Sequence, residues 1–152
     1  MNFPYRQFHT AASPTVPSGV LHRTEIPLQI IGASSTVSMW ALVDPGSDDT
    51  LLPLSFSQVI GAKADPNQTW KVEGIGGQAL SVVLGEVTLE ISDASQTFRW
   101  PAKIGLVDFA DPKDETAVLG HAGFLDYFRV TFDGHLRILE IEATPAFPGQ
   151  IL

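Results

Sequence analysis

Three aspartates crowd one short stretch, "ALVDPGSDDTLLP", from Ala41 to Pro53. Apolar residues run straight into Asp44. A Pro-Gly-Ser turn follows, then Asp48 and Asp49, and apolar residues resume. A carboxylate can draw a proton from water or give one to a carbonyl, so such a site suits hydrolysis. Asp44 ends an apolar run, where a strand meets a turn, and Gly46 lets the backbone turn sharply. Taken alone, Asp-Pro-Gly also reads as an ordinary β-turn. The rest of the chain offers few other tools. There are no cysteines, which excludes disulfides and thiolate metal sites. His9, His22, His121 and His135 are scattered without ligand spacing. No phosphate loop or dinucleotide fingerprint is present, and no serine sits in a nucleophile elbow. Carboxylates remain as the chemical tool, and no metal or cofactor is expected.

The elements that must position Asp44 read as β-structure. "EIPLQIIG" and "STVSMWALVD" are two β-rich runs about Gly32-Ala33-Ser34, which predicts a hairpin. "PLSFSQVIG" predicts one short helical turn ending at Gly61. "TWKVEGIGGQALSVVLGEVTLEIS" predicts strands on both sides of a glycine cluster, with a bulge or bend at Gly85-Glu86 where the apolar period shifts. "TFRWPAKIGLVDF" is a further strand in which Pro101 marks an edge or a break. "TAVLG" is a short strand, "HAGFLDYF" a brief helix, and "RVTFDGHLRILEIE" a hairpin with Asp133-Gly134 at its turn. About eight strands, two short helices and no long helical period predict an all-β sandwich or small barrel. Residues 1–20 read as an extended arm or flexible leader, and residues 21–152 as one domain.

The chain has 152 residues, enough for one domain with a proper core. Its formal net charge is −8. That argues against nucleic-acid partners, which need a basic face, and disfavours anionic membrane surfaces. No apolar run approaches bilayer length and no signal peptide is visible, so a cytoplasmic location is expected. "NQT" at Asn67 matches a glycosylation sequon and reads as chance without a secretion signal.

Three motifs in order sharpen the reading. "LVDPGSDDTLLP" is followed about thirty residues on by "GIGG", Gly74 to Gly77, and later by "AVLGHAGFLDYF", Ala117 to Phe128. Across Thr24 to Glu142 the chain resembles the retropepsin-like aspartic proteases. Those enzymes carry Asp-Thr/Ser-Gly after an apolar pair, a glycine-rich flap tip, and a closing strand of two apolar residues and glycine. The resemblance implies a small closed β-barrel or sandwich with a flap hairpin and one or two short helices. It also implies a homodimer acting on a peptide or protein substrate. Asp44 would be catalytic, sharing one proton with its twin from a second subunit, because like charges so close cannot both ionise easily. One motif per chain makes the two-fold axis the place of the site. Gly46, Asp48, Asp49, Gly74, Ile75 and Gly76 would bind substrate, with Ile75 at the flap tip. Read without the resemblance, "GIGG" is a flexible hairpin tip and Asp48-Asp49 a solvated acidic turn.

Pro45 departs from the pattern. The family has Thr or Ser there, whose hydroxyl and N–H brace the two catalytic loops across the dimer. Proline supplies neither donor and fixes φ near −65°. His121 stands where viral members carry an arginine that pairs with the first of the two later aspartates, so a His121–Asp48 pair is expected in its place. Thr50, Leu51 and Leu52 are expected to serve the fold. Three readings follow. They are an active homodimeric aspartic endopeptidase, a dimer of the same fold that binds peptide but cleaves poorly because of Pro45, and an unrelated all-β binding domain.

Overall fold

The computed structural model describes residues 1–74, 77 and 79–152. Thirteen strands and one α-helix appear among these residues. In chain order the first strands are β1 (Asn2–Pro4), β2 (Arg6–His9), β3 (Val20–Arg23), β4 (Glu25–Ile31), β5 (Thr36–Val43) and β6 (Leu51–Pro53). The helix α1 (Ser55–Ile60) follows, then β7 (Lys63–Glu73), β8 (Ala79–Ser92), β9 (Thr97–Val107) and β10 (Ala117–Leu119). The last are β11 (Phe128–Asp133), β12 (Ile138–Ala143) and β13 (Gln150–Ile151). The fold is all-β, as its alternating apolar pattern predicts.

The main sheet runs β13-β9-β6-β10-β5-β4-β8-β7, and β8 also pairs with β9. The order β9-β6-β10-β5-β4-β8 therefore returns to its start and closes a six-stranded barrel. Ile26, Leu28 and Ile30 alternate inward from β4, and Leu89, Ile91, Trp100, Ile104 and Leu106 meet them from β8 and β9. An aromatic cluster of Phe98, Trp100, Phe124, Phe128 and Phe147 fills one end, with Phe124 and Phe128 centroids 4.9 Å apart. The buried Trp100 indole N–H donates to the Gly123 carbonyl at 2.9 Å, which satisfies the polar atom its burial would otherwise leave unpaired.

Several expectations are met locally. β4 and β5 form the expected hairpin, closed by the Gly32 N–H on the Ser35 carbonyl. Helix α1 ends at Gly61 in the left-handed conformation. Pro101 lies inside β9, but where its outer edge is free between the stretches that pair with β13 and β6, as a residue without an N–H requires.

Two expectations are corrected, and one pair of alternatives is decided. Of an extended arm and a flexible leader, the first nine residues take the extended form. β1 pairs with β12, β2 pairs with β3, and Met1 and Phe3 are buried in the core. The register shift lies in β7 between Asp65 and Thr69, opposite an unbroken β8, and not at Gly85-Glu86. Gly85 faces inward where Leu106 and Ile104 fill the space a side chain would take, which mimics a change of period in the sequence. "HAGFLDYF" is a set of turns and not a helix. Gly123 takes a φ of 89°, which a right-handed helix cannot contain, while the His121 and Ala122 N–H groups tie the segment to the Ser47 and Asp48 carbonyls.

Candidate active-site cleft

Asp44 leaves β5 at its C-terminal end. The chain does not return beside β5 but two positions away as β6, and β10 runs between them. β10 is parallel to β5, with Leu119 opposite Val43, and antiparallel to β6, with Val118 opposite Leu51. The loop from Asp44 to Thr50 thus arches over the end of β10. It is tied down on both sides. The Asp44 N–H donates to the Leu119 carbonyl at 3.1 Å, and the Thr50 N–H to the Ala122 carbonyl at 3.1 Å. The buried Thr50 hydroxyl accepts from the Gly120 N–H at 3.3 Å, and the Thr50 carbonyl accepts from Gly105 N–H at 2.8 Å. Thr50 serves the fold, as expected. Gly120 is required by close approach, since a Cβ there would collide with the Ser47 and Asp49 carbonyl oxygens.

Within this arch Asp44 to Ser47 form a turn, closed by the Ser47 N–H on the Asp44 carbonyl at 3.1 Å. Pro45 takes the second position, which its fixed φ suits. The half-buried Asp44 carboxylate folds back so that Oδ1 accepts from the Gly46 N–H at 2.8 Å. This hydrogen bond holds the side chain in one orientation. The imidazole of His121 reaches the Pro45 carbonyl, with Nε2 3.0 Å from the oxygen. The expected His121–Asp48 pair is not formed. The ring lies on the Pro45 side of the arch, and His121 meets the Asp48 side only through the backbone of the adjoining Ala122. Nε2 carries the proton for this contact, because a carbonyl can only accept.

A cleft of about 790 Å³ opens beside Asp44. One wall is the arch, with Asp44, Gly46, Ser47, Asp48, Asp49 and Leu51. The other is the end of β7, Trp70 to Gly74, with Leu80 from β8. The β7–β8 hairpin can overhang the cleft because Glu73 still pairs with Ala79 beyond the last β8–β9 pair, Val82 with Val107. Among the described residues the two walls are joined by one side-chain hydrogen bond, from Trp70 Nε1–H to Asp49 Oδ2 at 3.0 Å. Asp48 is exposed. Gly74 is exposed with open space around its Cα. Ile75 and Gly76 lie outside the described residues.

The structure therefore brings Asp44, Gly46, Asp48, Asp49 and Gly74 to one cleft, although Asp44 and Gly74 are far apart in sequence. Sequence reasoning missed Trp70, Leu80 and Val118. Trp70 carried a usable signal, as a tryptophan among polar and charged residues in the run leading to the glycine cluster. Among the described residues no group of histidine or acidic side chains could hold a metal ion, and no helix is long and apolar enough to cross a membrane. Compared with models of known protein families and with curated proteins, the chain gives no match.

Proposed function

We propose that the chain is an aspartic-type endopeptidase of retropepsin-like fold, acting as a homodimer that contributes one Asp44 per subunit. The observation that carries this reading is the Asp44 carboxylate at the mouth of a cleft between a locked arch and an overhanging hairpin. The cleft runs between the arch and the end of β7, and an extended peptide would lie between these walls. Each chain brings one Asp44, so a second subunit completes the pair. In the assembled site the two carboxylates share one proton. The ionised Asp44 takes a proton from the bridging water as that water attacks the scissile carbonyl carbon. The protonated Asp44 gives its proton to the carbonyl oxygen, and the tetrahedral intermediate then collapses with a proton passing to the leaving amine. In this reading the β7–β8 hairpin, with Gly74 and Gly77 near its end, would close over the peptide.

A peptide library incubated between about pH 3 and pH 7 tests this reading against an Asp44→Asn variant. Cleavage by the wild type alone is expected, and cleavage unchanged in the variant would sink the reading.

A second reading is favoured by Pro45. It fits its turn but offers neither hydroxyl nor N–H to an opposing arch. A dimer of the same fold would then bind peptides and cleave them poorly. Gain of activity in Pro45→Thr separates the two.

A further inference from the structure

The Trp70–Asp49 contact ties the walls of the cleft together, and it also defines what one end of the cleft can recognise. Trp70 is half-buried, so part of its ring faces the cleft. Its Cζ2 edge rests over Gly105, where a Cβ would come within 3.2 Å, beside Leu51 and Val82. The indole edge thus packs beside the Leu51 and Val82 side chains over Gly105, and its N–H is held by Asp49 Oδ2. An aromatic surface and a fixed carboxylate stand side by side. Asp49 Oδ1 makes no hydrogen bond among the described residues. Among the described residues the charged lining of the cleft is Asp44, Asp48, Asp49 and Glu73 against Lys71.

The same chain uses this combination internally. The Arg6 guanidinium lies 4.5 Å from the Trp40 ring centre and 4.7 Å from that of Phe8, and its Nη1 pairs with Glu25 Oε2 at 2.8 Å. A planar cation there satisfies an indole and a carboxylate together. Guanidinium does this better than ammonium, because it stacks and presents a fork of donors.

We propose that Trp70 and Asp49 form an arginine subsite, so that the substrates of this cleft are extended peptides carrying an arginine side chain at one fixed position. The guanidinium stacks on the open part of the Trp70 ring and donates to Asp49 Oδ1, with Asp48 and Glu73 adding to the negative field. This inference rests on the peptide-cleft reading above and deepens it.

Binding of labelled decapeptides carrying arginine, citrulline, lysine or leucine at one position, walked along the chain, tests it without requiring turnover. Citrulline keeps the shape of arginine and removes its charge. At low salt the arginine peptide is expected to bind about tenfold more tightly than the citrulline peptide at one register, with the gap narrowing as salt rises. Trp70→Leu and Asp49→Asn are each expected to reduce that ratio to about twofold or less, and Trp70→Phe to leave an intermediate ratio because a ring remains. The exposed pair Asp48→Asn with Glu73→Gln, which lies outside the core, is expected to lower the ratio while leaving the melting point near that of the wild type. Equal binding of arginine and citrulline peptides, tighter binding of leucine, or an arginine preference that survives Trp70→Leu in folded protein would overturn the subsite. Failure of the proteolytic reading shows separately, as cleavage that persists in Asp44→Asn or is absent from the wild type. The binding ratios stand or fall apart from it.

Discussion

Replacing Gly120 by alanine would drive a methyl group into the knot beneath Asp44. Gly120 has no left-handed φ, so only space resists the substitution. A Cβ would meet the Asp49 carbonyl oxygen and lie 2.6 Å from that of Ser47, well inside the ~3.5 Å at which nonbonded atoms sit comfortably. Both obstacles are backbone, so neither can swing aside as a side chain would. Overpacking of this kind costs about 1–3 kcal/mol. The arch must lift to relieve it, which stretches the His121 N–H to Ser47 and Ala122 N–H to Asp48 hydrogen bonds, now 2.9 and 2.8 Å. Each contributes about 0.5–1.5 kcal/mol net if lost. A total near 3 kcal/mol would lower the thermal midpoint by about 6–12 °C in a domain of this size. Gly134→Ala is the control, because nothing lies within 4 Å of its Cβ position and its effect should stay within about 0.5 kcal/mol. Paired thermal and urea melts of the two variants decide the matter. A Gly120→Ala protein that melts within about 2 °C of the Gly134→Ala protein would refute the claim that the arch is locked onto β10.

Phe3→Ala should destabilise the protein by about 3 kcal/mol, because Phe3 is 5% exposed and opposes Leu139; a urea melt reads this directly. Removal of residues 1–20 should leave a chain that fails to fold cooperatively, which calorimetry would show as loss of a single transition. His121→Ala should leave global stability nearly unchanged while amide exchange at Gly46 and Ser47 rises about 2–10-fold, since the Pro45 carbonyl loses its only side-chain donor among the described residues. Asp93 should titrate with a midpoint of about 2, held down first by the Ser95 hydroxyl and then by the Ser95 amide. Its folded value is depressed, so what it contributes to stability is present above its ordinary value of about 4 and is lost as pH falls through about 2. Carboxyl NMR shifts followed with pH check both the value and the sign.

Some of the molecule was legible in the chain because it depends on neighbours in sequence. The alternation in "EIPLQIIG" sets which residues of β4 face inward, and Gly32 to Ser35 join it to β5. Gly61 stops α1 where the pattern says it should. The type and order of the chemically capable residues around Asp44 were legible too. The terminal strands were not. β1 and β2 are three and four residues long, too short for a period to show, and their partners lie in β12 and β3. "HAGFLDYF" has a fair helical pattern, yet Gly123 takes a left-handed φ of 89° that breaks it, in a segment tied through His121 and Ala122 to Ser47 and Asp48, about seventy residues away.

The sequence by itself determined the all-β class, the strand–turn character of the Asp44 stretch and the absence of thiol chemistry. Only the tertiary structure decided that β10 runs between β5 and β6, that His121 faces Pro45 and not Asp48, and that Trp70 reaches Asp49 across the cleft. The reason is physical. Local patterns fix how a segment buries its faces, whereas the choice of partner strand depends on how the barrel closes, and hydrogen bonds between distant residues follow from that closure.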